Sequence, residues 1–356
     1  MTANEPATGY DLDRASLPRM RISLLGAESS GKSSYVLGMF AALVRGQEQH
    51  QYSLSTANHD VGFAMLEEMD ELCAGKPPRG TDEPKTHEFT LRGGLPGNGR
   101  TGGVQGGVVA IDLTDFRGGA IREKVVEDSD TARYYELLVE SDSIFVVLDS
   151  SHFREPVTPS RMQAVAEATW AYRIGDRIGW AIGEREAHGL PAPSITVLLT
   201  KWDFLDDGEG VAVRGLGQVY ADVKALLPRV FGVGLWQYVF TVSIGEFSDA
   251  DGNPRQAPIN LSGVEKPLFF ATGCYLANVS EWLQGQRGRL EADRAAAAER
   301  LRKLTRWPEF IRQHVLRGWI EQRRDDLKAK NDKLAALNLR ALNVSEHEKI
   351  LRGLAS

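Results

Sequence analysis

Short apolar runs, separated by longer segments of mixed polarity, dominate the pattern of this chain. Mostly apolar runs of four to seven residues predict buried strands at 22–25, 108–113, 143–149, 194–199 and 238–242. The alternating segment 86–92 predicts a further strand, paired with 108–113 through a glycine-rich connection. Apolar residues at helical spacing occupy the ranges 35–44, 67–72, 130–140, 159–187, 218–227 and 268–283. This order predicts an α/β fold, and the continuous run 143–149 indicates a parallel sheet covered on both faces.

The C-terminal stretch 286–356 has a helical pattern of its own. Its first part, 286–306, is rich in good helix formers, and Trp307-Pro308 interrupts it. A second helix is expected over about 309–342, with an early apolar stripe that ends at Trp319 and Ile320. The capping-box spacing of residues 345–348 predicts a last short helix. We therefore expect a loose arm over 1–19, a globular domain over 20–285 and a helical extension over 286–356.

Composition is that of a soluble globular protein. Hydrophobic residues make up 42% and charged residues 25% of the chain. No apolar run approaches the roughly 18 residues that a membrane span needs. Cys73 and Cys274 have neither metal-ligand nor thiol-redox spacing, and the polar N-terminus has no signal-peptide core. These features predict a cytoplasmic protein without a membrane span.

The net charge of −6 is unevenly distributed. Residues 286–356 carry 17 Lys/Arg against 10 Asp/Glu, whereas residues 1–285 carry 25 against 38. A basic tail on an acidic body indicates a partner surface or docking of one part of the chain on the other, with a solvated helix face as the alternative. The apolar stripe of the tail indicates either packing within the chain or a seam for a partner protein or a second copy. Nucleic acid is not expected as a partner.

The first functional motif of the chain lies directly after the predicted strand 22–25. Residues 26–33, GAESSGKS, match the pattern G-x-x-x-x-G-K-[ST] between a predicted strand and a predicted helix. Gly26 and Gly31 allow backbone turns that point N–H groups at an anion, and the helix N-terminus adds partial positive charge. Lys32 suits the β- and γ-phosphates, and the Ser33 hydroxyl is a hard ligand for Mg²⁺. The pattern predicts a P-loop that binds a nucleoside triphosphate, against a chance match in a glycine-bearing turn.

A second motif follows the strand 108–113. Asp115 and Gly118 form an Asp-x-x-Gly sequence, typical of a switch in which the carboxylate holds a Mg²⁺-bound water and the glycine N–H reaches the γ-phosphate. Asp112 is the rival aspartate, but it lies inside the strand and no glycine follows it at the same offset. An ordinary strand-to-turn Asp and Gly is the alternative interpretation.

A third motif, Thr200-Lys201-Trp202-Asp203, follows the strand 194–199 and fits [NT]-K-x-D. It stands at a strand's carboxyl edge, where open α/β sheets bind ligands. The Asp203 carboxylate can accept hydrogen bonds from the ring N–H and exocyclic amine of guanine, a donor pair that adenine lacks. The stem of Lys201 can lie across the base plane. Ser243, just after the strand 238–242, is a further candidate for a base contact, with a plain strand-ending serine as the alternative.

The order of P-loop, D-x-x-G, T-K-x-D and S-x-G over residues 20–285 resembles the Ras-like class of P-loop GTPases. Within that class, the long excursion after the P-loop helix and the segment NLSGVEKP at 260–267 resemble the bacterial double-GTPase domain families. The resemblance implies a doubly wound, mostly parallel sheet with a C-terminal helical extension, and a site for Mg²⁺ and GTP or GDP.

The resemblance also implies the residues of that site. The phosphates would be bound by Gly26, Glu28, Ser29, Ser30, Gly31, Lys32, Ser33 and Ser34. The base would be bound by Thr200, Lys201, Asp203 and Ser243. The metal would be bound by Ser33, Asp115 and a switch threonine, for which Thr81 is the first choice and Thr86 the runner-up.

Catalysis is where the chain departs from the pattern of that class. Many relatives carry a water-orienting glutamine directly after the D-x-x-G glycine, and this chain has Gly119 there. Arg117 and Arg122 could supply charge to the transition state, with surface arginines as the alternative. The expected catalytic set is Arg117, Thr81 and Gly118.

These motifs predict a GTP-binding switch with slow hydrolysis, whose C-terminal helices transmit the nucleotide state to a partner or a second copy. Two alternatives remain open from the residues alone. The first is a nucleotide-bound scaffold that hardly hydrolyses, and the second is a P-loop ATPase.

Overall fold

The structure is a computed structural model of the chain. It describes residues 17–44, 52–76, 84–93, 106–116, 130–205, 213–232, 234–245, 247, 256–306, 309 and 317–355. The chain divides into two compact units, of which one comprises residues 1–275 with 351–356 and the other residues 276–350.

A seven-stranded sheet forms the centre of the first unit. Its strands are β1 (Arg19–Gly26), β2 (Tyr52–Thr56), β3 (Lys85–Gly93), β4 (Gly106–Asp115), β5 (Ser143–Asp149), β6 (Ser194–Thr200) and β7 (Gln237–Thr241). They lie in the order β2-β3-β4-β1-β5-β6-β7. β1 pairs in parallel with β4 and β5, and parallel pairing continues through β6 to β7. β3 is antiparallel to β2 and β4, so the sheet is mixed but mostly parallel, as predicted.

Helices pack on both faces of this sheet. The helices of the described ranges are α1 (Lys32–Val44), α2 (His59–Cys73), α3 (Asp130–Glu140), α4 (Pro159–Thr169), α5 (Ala171–Ala187), α6 (Leu216–Leu226), α7 (Lys266–Thr305) and α8 (Arg317–Ala355), and the packing on the sheet concerns those of the first unit. Ile144 and Val146 of β5 join one buried cluster with side chains of α3 to α6. Phe145 points the other way, to Tyr35 of α1, because successive side chains of a strand alternate between faces.

β1 is the strand at which the order of the sheet reverses, since β4 lies on one side of it and β5 on the other. In open α/β sheets, ligands bind in the crevice outside the carboxyl ends of the strands at such a point. The parallel strands bring their carboxyl ends to one edge, and with them Gly26, Asp115, Asp149 and Thr200. Three sequence motifs that are far apart along the chain therefore meet at this edge.

The helix predicted over 159–187 is interrupted. Trp170 separates α4 from α5 in a left-handed conformation, with φ 56°, and only 5% of its surface is exposed. A left-handed non-glycine residue costs of the order of 1–3 kcal/mol. Burial of an indole ring offsets a cost of this size, because large aromatic side chains contribute strongly to core stability.

β2 is a strand that the apolar pattern did not predict. It has five residues, and its buried Tyr52 and Leu54 alternate with more exposed polar positions. Five alternating residues are a weak periodic signal. Pairing with β3 decides the strand, because the register runs without a break from Tyr52 opposite Gly93 to Thr56 opposite Phe89.

The second unit is made from α7 and α8, which are longer than predicted. α7 has 40 residues and runs through the boundary expected at 285/286. α8 has 39 residues and runs through 345–348, so the predicted separate last helix is wrong: the helix formers Ala341, Leu342, Glu346 and Glu348 continue one helix across Ser345. The end of α8, from Leu351 onward, belongs to the first unit, and Leu351 is fully buried there. Within the described ranges, no helix combines the length and hydropathy that a membrane span requires.

Candidate functional site

The loop between β1 and α1 follows a tight path that two glycines make possible. Ser29 and Gly31 both adopt left-handed conformations, with φ 58° and 90°. A Cβ atom on Gly26 would lie 2.6 Å from the carbonyl oxygen of Val147, which is backbone and cannot move aside. The N–H of Tyr35 donates to the Gly31 carbonyl at 2.8 Å and closes the first turn of α1. The loop therefore needs glycine at position 26, because of space, and favours it at position 31, because of φ.

Polar groups of this loop turn inward. Lys32 is 8% exposed, and its ammonium group donates to the carbonyl oxygens of Gly26 at 3.1 Å and Ala27 at 2.9 Å. Burial lowers the pKa of Lys32, and the charges of Asp115 and Glu28 act in the opposite direction. The buried Ser30 hydroxyl has no hydrogen-bond partner among the residues that the structure describes. Buried hydroxyl groups are normally hydrogen-bonded, and an anion bound in the loop would accept a hydrogen bond from this one.

The remaining P-loop side chains are nearer to the solvent. Glu28 and Ser29 are exposed, whereas Ser33 and Ser34 at the start of α1 are half-buried.

Ser33 and Asp115 meet directly at the carboxyl edge of the sheet. The Ser33 hydroxyl donates to Oδ2 of Asp115 at 2.7 Å, although 82 positions separate the residues in sequence. Asp115 lies opposite Leu24 in the β1–β4 register and is 2% exposed. The pairing of β4 with β1 therefore places two hard oxygen donors side by side, which is the chemistry that Mg²⁺ prefers.

The rival residues for this position face away from it. Side chains three positions apart on a strand point to opposite faces. Asp112 accordingly forms an ion pair with Arg19 on the face opposite that of Asp115. The Thr86 hydroxyl lies 3.0 Å from that of Thr114, on the same opposite face. Neither Asp112 nor Thr86 joins the Ser33–Asp115 pair.

Several predicted residues lie outside the described ranges. They are Thr81, Arg117, Gly118, Gly119 and Arg122.

Phe116, directly after Asp115, is anchored in the core. It is 1% exposed, and its ring meets that of Tyr134 on α3 edge-on, with centroids 4.6 Å apart. Tyr134 contacts Tyr135, and Tyr135 contacts Trp180 on α5 at 4.8 Å. The start of the D-x-x-G sequence is thus packed against the helices on one face of the sheet.

The T-K-x-D segment contacts the P-loop through its first residue. The Thr200 hydroxyl donates to the Ser30 carbonyl oxygen at 2.6 Å and also lies 3.1 Å from the Leu148 carbonyl oxygen. Thr200 is 4% exposed. A single buried hydroxyl therefore connects β6 with the loop after β1.

The other two polar residues of the segment are held by the neighbouring strands. Lys201 has a left-handed φ of 53°, and its ammonium group lies 2.5 Å from Oδ2 of Asp149 at the end of β5. The Ser243 hydroxyl, just after β7, donates to Oδ1 of Asp203 at 2.8 Å. Lys201 and Asp203 are thus oriented by contacts from opposite sides.

Ser243 is itself positioned by the segment that precedes α7. Its N–H donates to the Ser262 carbonyl at 3.1 Å, and the Ser262 N–H donates back at 2.9 Å. The Asn260 N–H continues this pairing with the Ile244 carbonyl at 3.1 Å. The NLSG sequence therefore serves as a short antiparallel support for the loop after β7.

Asp149 is the residue of this region that the sequence motifs missed. It is the single charged residue of the apolar run 143–149 and stands at its carboxyl end. That position is a usable signal, since polar side chains at the ends of parallel strands gather at the ligand edge of such sheets.

Comparisons with known proteins leave the family open. No protein-family model matches the chain, and a search of curated proteins finds no match. Two solved structures of SsGBP variants are 16% and 14% identical, covering 64% and 65% of this chain and 50% and 52% of theirs, each with a TM-score of 0.27. A structure of an oligomerised bacterial dynamin pair, described as sensing and tethering membranes, is 13% identical over 95% of this chain and 62% of that chain, with a TM-score of 0.28.

This chain therefore spans between 50% and 62% of the length of these solved structures. With TM-scores of 0.27 and 0.28, the likenesses decide neither a family nor a function.

Proposed function

We propose that this chain is a GTP-binding switch that requires Mg²⁺ and hydrolyses GTP slowly. The observation that carries the proposal is the direct contact between Ser33, at the end of the G-x-x-x-x-G-K-[ST] pattern, and Asp115, at the start of D-x-x-G. Ser33 lies in the first turn of α1 and Asp115 at the end of β4, so the fold brings two hard oxygen donors to 2.7 Å from segments that are 82 positions apart. In P-loop nucleotide-binding proteins a hydroxyl of the P-loop and an aspartate of a neighbouring strand together hold Mg²⁺, so this proximity supports a nucleotide-dependent metal site.

The residues around this contact fit a Mg²⁺ ion. The Ser33 hydroxyl would bind the metal directly, and the Asp115 carboxylate would hold it through a bound water. Mg²⁺ keeps several waters and takes few protein ligands, which suits a pair of oxygen donors beside a phosphate loop. When bound, the ion would neutralise part of the charge on the β- and γ-phosphates.

The loop itself supplies the phosphate contacts. Lys32 would exchange the carbonyl oxygens of Gly26 and Ala27, which its ammonium group now contacts, for phosphate oxygens. The buried Ser30 hydroxyl would gain a partner, and the N–H groups at the start of α1 would face the anion. Charge-assisted hydrogen bonds of this kind are stronger than those between neutral groups.

Guanine selectivity is assigned to Asp203. Its carboxylate would accept hydrogen bonds from the ring N–H and exocyclic amine of guanine. Ser243 supports this role, because its hydroxyl fixes the orientation of the carboxylate. Adenine would leave the carboxylate without its two donors, and that mismatch costs more than the loss of a contact between apolar groups.

Slow hydrolysis follows from position 119. Gly119 has no side chain to orient the attacking water, so positioning must come from elsewhere. Arg117, Gly118 and Thr81 stay the proposed catalytic set, with Thr81 as the third metal contact. The same glycine favours the second candidate function, a nucleotide-bound scaffold that hardly hydrolyses.

The second unit is proposed to pass the nucleotide state to a partner protein or to a second copy. Trp319 and Trp282 expose 63% and 58% of their surfaces there, and Leu339 and Leu342 expose 62% and 57%. Large exposed aromatic and aliphatic side chains are enriched at protein contacts. The excess of Lys and Arg over 286–356 would favour an acidic contact surface.

Calorimetric titration with GTP, GDP and ATP, in the presence of Mg²⁺, tests the proposal. The unmutated chain should bind both guanine nucleotides well and ATP poorly, and Ser33→Ala should lose tight GTP binding. The matched control is Ser160→Ala, which removes an exposed serine hydroxyl at the start of α4. Full GTP affinity in Ser33→Ala would refute the metal site. Phosphate release at background level under every condition would favour the scaffold.

A further inference from the structure

We infer that Asp149 is a positioning residue for Lys201 and thereby sets the affinity of the site for the guanine base. The inference rests on the function proposed above. It adds a residue that no part of the T-K-x-D pattern contains.

Both oxygens of the Asp149 carboxylate are engaged. Oδ2 lies 2.5 Å from the Lys201 ammonium group, and Oδ1 accepts from the Ser151 N–H at 2.9 Å. The Asp149 side chain is 14% exposed, against 36% for Lys201. The aspartate is therefore the fixed member of the pair, and the lysine is the member that it holds.

The ionisation of Asp149 suits this role. Burial alone would raise the pKa of its carboxyl group, but the Lys201 charge and the hydrogen bonds from Lys201 and Ser151 outweigh it, so the pKa lies below its usual value. The carboxylate is consequently charged at neutral pH. It can then hold a cation without first losing a proton.

Fixing the ammonium group matters because the aliphatic stem of Lys201 would cover the guanine ring. The four-carbon stem of a lysine has many rotamers, and a guanine ring needs one of them. The left-handed backbone of Lys201 sets where the stem starts, and Asp149 sets where it ends. With both ends defined, the stem is ordered before the base arrives, and binding does not have to order it.

Holding β5 and β6 together does not require this contact. The two strands already pair in parallel along seven register positions, from Ser143 opposite Ser194 to Asp149 opposite Thr200. An ion pair with one member 36% exposed adds little to a sheet of this kind. The contact is therefore better explained by what it does to the Lys201 side chain.

This role makes a prediction that differs from that of a phosphate contact. Asp149→Asn should lower the affinities for GTP and for GDP by the same factor, about tenfold, because both nucleotides share the base that Lys201 would cover. The turnover at saturating GTP should stay unchanged, since the base does not react. Loss of a phosphate or metal contact would instead weaken the two nucleotides unequally and lower the turnover.

The experiment is a double-mutant cycle on the full chain, with GTP and GDP affinities as the readout. The variants are Asp149→Asn, Lys201→Met and the pair together. Lys201→Met keeps an unbranched stem but removes the ammonium group, so we expect its nucleotide affinity to fall by the same factor as that of Asp149→Asn. The affinity of the double variant should fall no further than that of either single variant.

The matched control is Asp142→Asn, at the opposite end of β5. Asp142 also faces a cation, with the Arg185 guanidinium 3.8 Å away, but it lies at the amino end of the strand. Asp142→Asn should lower stability without changing the affinity for GTP, the affinity for GDP or the turnover. Circular dichroism spectra of all variants report folding.

The outcomes separate this inference from the proposed function. An unmutated chain that binds no GTP refutes both. If the unmutated chain binds GTP and Asp149→Asn binds it with equal affinity, only the role of Asp149 is refuted. The same conclusion follows if Asp149→Asn lowers the affinity further when Lys201 is already methionine. If Asp149→Asn does not fold, Lys201→Met alone decides, because undiminished GTP and GDP affinity in that variant overturns the inference.

Discussion

The Thr200 hydroxyl donates to the backbone carbonyl oxygen of Ser30 across 2.6 Å, although 170 positions separate the two residues. Thr200 and Ser30 are 4% and 3% exposed, so water cannot replace the bond easily. The contact joins the segment proposed for the base to the loop proposed for the phosphates. A movement of one segment would therefore displace the other.

Thr200→Val should lower the free energy of unfolding by about 1–3 kcal/mol, because a buried carbonyl loses its donor. GTP affinity should fall as well, since the loop loses a constraint. Urea unfolding and calorimetric titration measure the two effects. Thr196→Val is the matched control on the same strand: its buried hydroxyl has no hydrogen-bond partner among the described residues, so the exchange should be close to neutral. Equal losses in both variants would contradict the role of the Thr200 bond.

Asp203→Asn should change which nucleotide binds. The amide can donate to the additional oxygen of xanthine, whereas it can no longer accept both guanine donors, so xanthosine triphosphate should bind better and GTP worse. Titration of both nucleotides against the variant and the unmutated chain measures the exchange. Asp60→Asn, on the exposed start of α2, should leave both affinities unchanged. Equal GTP and ATP affinity in the unmutated chain would refute guanine selectivity.

His87 should make stability depend on pH. The side chain is 7% exposed and stacks on Phe89. Burial, with a smaller effect of the Lys85 charge, lowers the pKa of His87 from 6.5 to about 4. Between these two values the unfolded chain binds a proton that the folded chain excludes. The contribution of neutral His87 is thus fully present above pH 6.5 and is lost as the pH falls toward 4.

From pH 7 to pH 5 the free energy of unfolding should fall by about 2 kcal/mol through His87 alone. Urea unfolding at the two pH values measures the change, and the difference between them should be smaller by this amount in His87→Gln. The exposed His188 provides the control, since His188→Gln should retain the full difference. An identical pH dependence in His87→Gln and the unmutated chain would show that His87 does not cause it.

Trp319 should matter for the rate of hydrolysis if the second unit mediates self-association. The rate per molecule should then rise with protein concentration from a value below about one per second. Trp319→Glu should remove the rise, because a charge replaces a ring that is 63% exposed. Phe63→Glu, at 66% exposure on α2, is the control that should keep it. A rate that is independent of concentration in the unmutated chain would point to a separate partner or to the scaffold.

Local features of the fold were open to prediction from the sequence. The glycine positions of the loop, the apolar runs of β5 and β6 and the bounds of α3 depend on residues close together in the chain. Steric limits on φ and the burial of consecutive apolar side chains act within a few residues. A pattern in a short segment therefore carries enough information to predict them.

Longer-range features were not open to prediction in this way. Trp170 breaks a helix because its ring is buried in a core that distant elements build. β2 depends on its pairing with β3. Each of these outcomes depends on packing against residues that no local window contains.

By itself, the sequence determined the three motifs and their attachment to strand ends, because these follow from residue type and short-range geometry. The tertiary structure decided which side chains meet. The register of β4 beside β1 selects Asp115 over Asp112 as the partner of Ser33, and the pairing of β5 with β6 brings Asp149 to Lys201. The physical reason is that neighbouring side chains on a strand alternate between faces, so a contact between strands depends on register, which the whole sheet sets.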